Sequence, residues 1–140
     1  MIKLIVGKKG SGKTKAMVGM SNEAVKKTKG HVVFIDVDQS RMFQVDYRAR
    51  FMHLSEYNIE NENEFFGFLC GVVASNYDID HIFIDGLMQV SKSDLEDMGR
   101  FFDRLDKLEK KFNITFVIGI SWEEDEIPEF LHRYKIDKLP

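Results

Sequence analysis

The chain has 140 residues, 44 % of them apolar and 31 % charged, the balance of one soluble globular domain built on one core. A formal net charge of −3 and a pI near 5.8 argue against strong non-specific binding to nucleic acid. No apolar run approaches the roughly 20 residues that cross a bilayer, and the apolar start before Gly7 is too short for a signal-peptide core, so a cytoplasmic protein with no membrane partner is expected.

In chain order, Ile2 to Val6 is a short apolar run ending at glycine and reads as a buried strand. Lys13 to Lys27 has helix-forming composition with Ala16, Met17, Met20 and Ala24 at helical spacing, and Gly30 is the expected stop. Val32 to Ile35 is a second strand, ending at Asp36-Val37-Asp38, and Phe51 to Leu54 a short third one. Asn61 to Ser75 reads as a helix burying Phe65, Phe68, Leu69, Val72 and Val73. His81 to Asp85 is a strong strand. Ser93 to Lys111 is the clearest helix, with Ser93 and Glu96 as a capping pair and an apolar stripe from Leu95 to Leu108. Ile114 to Ile120 is continuously apolar, as in a strand covered on both faces. The acidic tail holds a short helix near Pro128 to Tyr134 and then an edge strand.

Strands and helices alternate, and the strands are apolar on both faces. That pattern calls for a three-layer α/β sandwich with a mostly parallel sheet of about five strands. No repeat, low-complexity tract or linker divides residues 1–140, so a single domain is expected.

Between the first strand and the first helix, residues 7 to 14 read Gly-Lys-Lys-Gly-Ser-Gly-Lys-Thr and match a phosphate-binding P-loop at every fixed position, Gly7, Gly12, Lys13 and Thr14. Glycines admit positive φ and leave backbone N–H groups free to surround phosphate oxygens, and the following helix adds its positive end. The expected ligand is a nucleoside triphosphate, ATP, held by Gly7, Lys8, Lys9, Gly10, Ser11, Gly12, Lys13 and Thr14. Lys13 bridges the outer phosphates in this reading, and Thr14 ligates Mg2+. Asp85, at the end of an apolar strand, supplies the second metal position.

The segments around this motif resemble RecA-like and replicative-helicase (DnaB-type) ATPases. His81 to Val90 is similar to their magnesium-aspartate strand. The helix ending Leu105 to Asn113 and the run Ile114 to Ser121 are similar to the helix and sensor strand that follow it. The resemblance implies a P-loop NTPase fold and places Ser121 near the γ-phosphate. Phe34 to Ser40 is similar to their second strand end and puts Asp38 where a water-activating glutamate stands, one methylene short. Lys8 to Thr14 with Val33 to Gln39 also resembles ParA/MinD-type partition ATPases, without the proline before Gln39 or the second glycine at Lys9. The whole chain is similar to small stand-alone bacterial P-loop proteins loosely labelled twitching-motility ATPases.

The implied activity is slow or partner-stimulated ATP hydrolysis, with Asp38 and Ser121 as catalytic candidates and a partner protein or self-assembly completing the output. The alternative is a non-catalytic nucleotide-binding module. Other features have plainer explanations. Arg48, Arg50, Arg100 and Arg104 read as surface charge, although any of them is a candidate finger for a neighbour's phosphate. His31, His53, His81 and His132 show no metal spacing, and Cys70 reads as a buried thiol. Glu123 to Glu126 reads as a solvated acidic loop, and Trp122 either stacks on a base or caps the core.

Overall fold

A computed structural model describes residues 1–139. Six strands form one all-parallel sheet: β1 (Ile2–Gly7), β2 (His31–Asp36), β3 (Arg50–His53), β4 (Ile79–Asp85), β5 (Thr115–Ser121) and β6 (Lys135–Lys138). Their spatial order is β3-β2-β4-β5-β1-β6. The four central strands are the apolar runs, shielded on both faces. Edge strand β3 opens on Arg50 and edge strand β6 has lysine at both ends; such charges discourage pairing with a further strand. The sheet is therefore one strand larger than expected and entirely parallel.

Four helices cover it: α1 (Lys13–Lys27), α2 (Glu62–Ser75), α3 (Leu87–Val90) and α4 (Gly99–Phe112). Connections running toward the β3 edge, α1 and the β2–β3 loop, pack on one face with Ile5, Phe34, Phe83 and Val117. Connections running toward the β6 edge, through α2, α3, α4 and the segment after β5, pack on the other face with Leu4, Ile35, Ile84 and Ile118. Right-handed crossovers require this segregation, because reversing direction along the sheet reverses the face. The result is the three-layer α/β sandwich. No helix among the described residues is long and apolar enough to cross a membrane.

Helix ends follow local chemistry in part. Asn61 caps α2, its side chain accepting the Glu64 N–H at 2.9 Å. The expected capping pair at Ser93 and Glu96 does not form, and α4 starts at Gly99 after a 3-10 turn at Leu95–Asp97. Ser93 instead receives its partner from Ser91, whose Oγ accepts the Ser93 N–H at 3.1 Å, while Glu62 accepts the Lys92 N–H at 3.0 Å. That pairing ties the loop after α3 to the start of α2. Gly30 is not the helix stop, because α1 already ends at Lys27 with Thr28 extended. Gly30 is small because Asp78 and Asp80 lie against it. The tail helix is only a 3-10 turn at Glu129–Leu131. Cys70 is partly exposed rather than buried.

The buried face of α4 joins the aromatic layer. Phe102 is fully buried and packs edge-on against Phe101, with Phe130 and Tyr134 behind it. Arg104 lies 4.1 Å over the Phe66 ring of α2, so it serves packing rather than a distant phosphate.

Gly86, directly after β4, locks the sheet's upper rim. Its φ is +92°, and a Cβ there would stand 2.7 Å from Val37 Cγ2. Gly86→Ala combines a left-handed backbone with a clash and is expected to cost about 1–4 kcal/mol. The check is a lowered denaturant midpoint with unchanged slope; an unshifted midpoint contradicts the packing described.

Candidate functional site

The ends of four strands, β1, β2, β4 and β5, meet where the loops leaving β1 and β5 turn to opposite faces of the sheet, the place where ligands bind in open α/β folds. The 7–14 loop bridges β1 and α1. Gly10 and Gly12 have φ of +84° and +95°, so the loop curls back on itself before α1 begins. The Ser11 N–H donates to the Lys8 carbonyl at 3.0 Å. Lys13 enters the curl and donates from Nζ to the same carbonyl at 2.9 Å. Only 6 % exposed, its ammonium is held below its ordinary pKa by burial, and Asp85 opposes that shift.

Thr14, the next residue, donates from Oγ1 to Asp85 Oδ2 at 2.6 Å. This contact joins α1 to the end of β4 across the intervening β5. Gly119 of β5 makes room for it, since a Cβ there would lie 2.7 Å from Met17 Sδ and 3.3 Å from Asp85 Oδ1. Ser121 closes β5 opposite Gly7 and is exposed at the same rim.

A cleft of about 350 Å³ collects Lys9, Gly10, Gly12, Lys13, Thr14, Asp38, Asp85 and Ser121. Gly7 and Ser11 support it from beneath, and Lys8 lies outside it, paired with Glu123 at 3.7 Å. The Ser11 hydroxyl is buried with no hydrogen-bond partner, an orphaned donor inside the loop.

Asp38 stands in the cleft, but both of its oxygens face Ser40. Oδ1 accepts the Ser40 N–H at 3.1 Å and Oδ2 the Ser40 hydroxyl at 3.0 Å. These bonds hold its carboxyl below the ordinary pKa.

The sequence reading missed Asp36. This residue is 5 % exposed, lines the cleft, and accepts the Asp38 N–H at 3.1 Å. Burial raises its carboxyl to about 7, helped by the charges of Asp85 and Asp38. The signal was available. Phe34-Ile35-Asp36 and Phe83-Ile84-Asp85 are identical triplets, and they lie side by side in register on β2 and β4. Lys15, Ser40, Arg41 and Gln89 complete the cleft and were also unassigned.

Elsewhere four of the candidates have structural partners. Arg48 pairs with Asp46 at 2.9 Å. His31 meets Asn76, His53 meets Ser55, and His81 meets Asp80. Among the described residues, no three His, Cys, Asp or Glu side chains gather as a metal cage. A scan against protein-family models and a search of curated proteins return no match to this chain.

Proposed function

We propose that the cleft binds a magnesium nucleoside triphosphate, ATP, and that the protein is a slow or partner-stimulated ATPase of the RecA-like type. The observation that carries this reading is the 2.6 Å contact between Thr14 and Asp85 beside the inward-turned Lys13. It places a hydroxyl, a carboxylate and an ammonium at the positive end of α1, the combination that holds a phosphate chain with its cation.

Thr14 and Asp85 would hold Mg2+, with phosphate oxygens and water supplying its remaining ligands, as this ion prefers. When bound, the ion neutralises charge on the outer phosphates. Lys13 exchanges the Lys8 carbonyl for phosphate oxygens, a stronger partner for an ammonium. The backbone N–H groups of Gly10, Gly12, Lys13 and Thr14 would hold the chain in line, that of Ser11 being taken by the Lys8 carbonyl. In this reading Asp38 accepts a proton from the attacking water, and Ser121 hydrogen-bonds the terminal phosphate. As that water's oxygen bonds to the γ-phosphorus, the bond to the bridging oxygen breaks and ADP leaves.

One observation favours a second reading, a non-catalytic nucleotide-binding module. Asp38 spends both oxygens on Ser40 and would have to release it before taking a proton. Phosphate release separates the two. An ATPase shows turnover above a Lys13→Ala control, and Asp38→Asn binds ATP normally while losing about 10²–10⁴-fold in turnover, the range for a lost general base. Binding without turnover assigns the module; full turnover in Asp38→Asn removes that residue from the chemistry.

A further inference from the structure

Strand β3 ends at His53, and the chain passes at once into a 3-10 turn over Leu54–Tyr57. Leu54 is buried in the core and anchors that turn, and Asn58 closes it at a φ of +52°. The residues on either side of Leu54 are thereby brought together at the surface. Ser55 Oγ lies 2.7 Å from His53 Nε2, and Glu56 Oε1 lies 3.5 Å from His53 Nδ1. A carboxylate beside Nδ1 favours the proton on that nitrogen, which leaves Nε2 as an acceptor toward the serine. The hydroxyl's other acceptor, the Val37 carbonyl, is farther away at 3.2 Å. The serine proton thus has a base, and the base has an orienting partner, which is the arrangement of an activated nucleophile.

Ser55 also lines a hollow of about 290 Å³. Val37, Leu54, Ile59 and Val90 give it apolar walls, and Gln89 and Lys92 bring N–H donors. Glu60 balances the charge of Lys92, so the hollow suits an uncharged molecule with a short apolar group.

We propose that Ser55, His53 and Glu56 form a second chemical centre, which hydrolyses small uncharged carboxylic esters with the acyl group seated in this hollow. Ser55 Oγ bonds to the ester carbonyl carbon as its proton passes to His53 Nε2. The carbonyl electron pair moves onto its oxygen, where the donors of Lys92 and Gln89 meet the charge. The bond to the alkoxy oxygen then breaks, and the alcohol leaves with the proton from His53. A water molecule attacks the acyl carbon in turn, gives a proton to the same nitrogen, and releases the carboxylic acid as Ser55 recovers its hydrogen. Glu56 touches no substrate atom and is a positioning residue. No nucleotide, metal or residue of the 7–14 loop enters these steps, so the proposal stands apart from the reading of the cleft.

The test gives p-nitrophenyl butyrate to the full chain in nucleotide-free buffer with a chelator. Saturable release of p-nitrophenol is expected, and acid-quenched protein is expected to carry a butyryl group that peptide mass mapping places on Ser55. Ser55→Ala is expected to lose that adduct, and His53→Gln to lower kcat by about 10²–10⁴-fold, the range for a lost general base. Glu56→Gln is expected to lower kcat with KM unchanged. Ser55 and Glu56 are exposed, and circular dichroism of each variant verifies its fold. Release no faster than in buffer overturns the proposal, as does an adduct found only on other residues, or any of the three variants turning over like the wild type.

Discussion

In metal-free buffer near pH 8, Asp36→Asn is expected to unfold about 2–4 kcal/mol less readily than the wild type. Asp36 is 5 % exposed, and burial lifts its carboxyl to about 7. The unfolded chain ionises the same group near the ordinary value of 3.8. Between those two values the native state holds a proton that the unfolded state has lost. Stability from this residue therefore falls as pH rises from about 4 to about 7, and stays low above that range. Asparagine keeps the oxygen that accepts the Asp38 N–H and removes the buried charge. The difference between variant and wild type is expected to shrink to under about 1 kcal/mol near pH 4, where the native carboxyl is protonated and the unfolded one is about half ionised. Melting curves at the two pH values check this; an equal difference at both, or a less stable variant near pH 8, contradicts it. A site residue whose removal stabilises the fold is what a cleft built for binding rather than for packing produces.

The elements that were legible in the sequence share one property. Ile2 to Val6, His81 to Asp85 and Ile114 to Ile120 are apolar on both faces, and such runs have few alternatives to a central strand. The 7–14 loop was legible because its glycines and lysine are fixed by local backbone needs, and Asp85 because it ends one of those strands. What local pattern missed is decided by distant partners. Ser93 and Glu96 form a sound capping pair on paper, but Glu62 on another helix takes the Lys92 N–H, Ser91 takes that of Ser93, and α4 starts later. β6, expected as an edge strand in the tail, is short and charged at both ends, and its pairing with β1 fixes its bounds. Asp36 carried no assignment beyond ending the second strand, because its burial comes from register against β4 and not from its neighbours in sequence. The β2–β3 loop shows the same dependence, since Asn22 of α1 bonds its backbone at Gln44 and Asp46.

The largest effect on binding is expected at Lys13. Its ammonium is desolvated inside the loop and has only the Lys8 carbonyl as a hydrogen-bond acceptor, with Asp85 as the opposing charge. A phosphate chain in the cleft would offer it two or more charged acceptors, each worth about 1.5–3 kcal/mol. Truncation removes those bonds and the local positive charge together, so the dissociation constant is expected to rise by about 10²–10⁴-fold. The fold is expected to persist, because the side chain bonds only to its own loop. The decisive measurement is calorimetric titration of Mg-ATP into wild-type protein and into Lys13→Ala of verified fold. The cleft described here predicts saturable one-to-one binding in the wild type and its loss in the variant. Absence of saturable binding to the wild type, or equal affinity in both, would contradict the assignment of residues 7 to 14 as a triphosphate site.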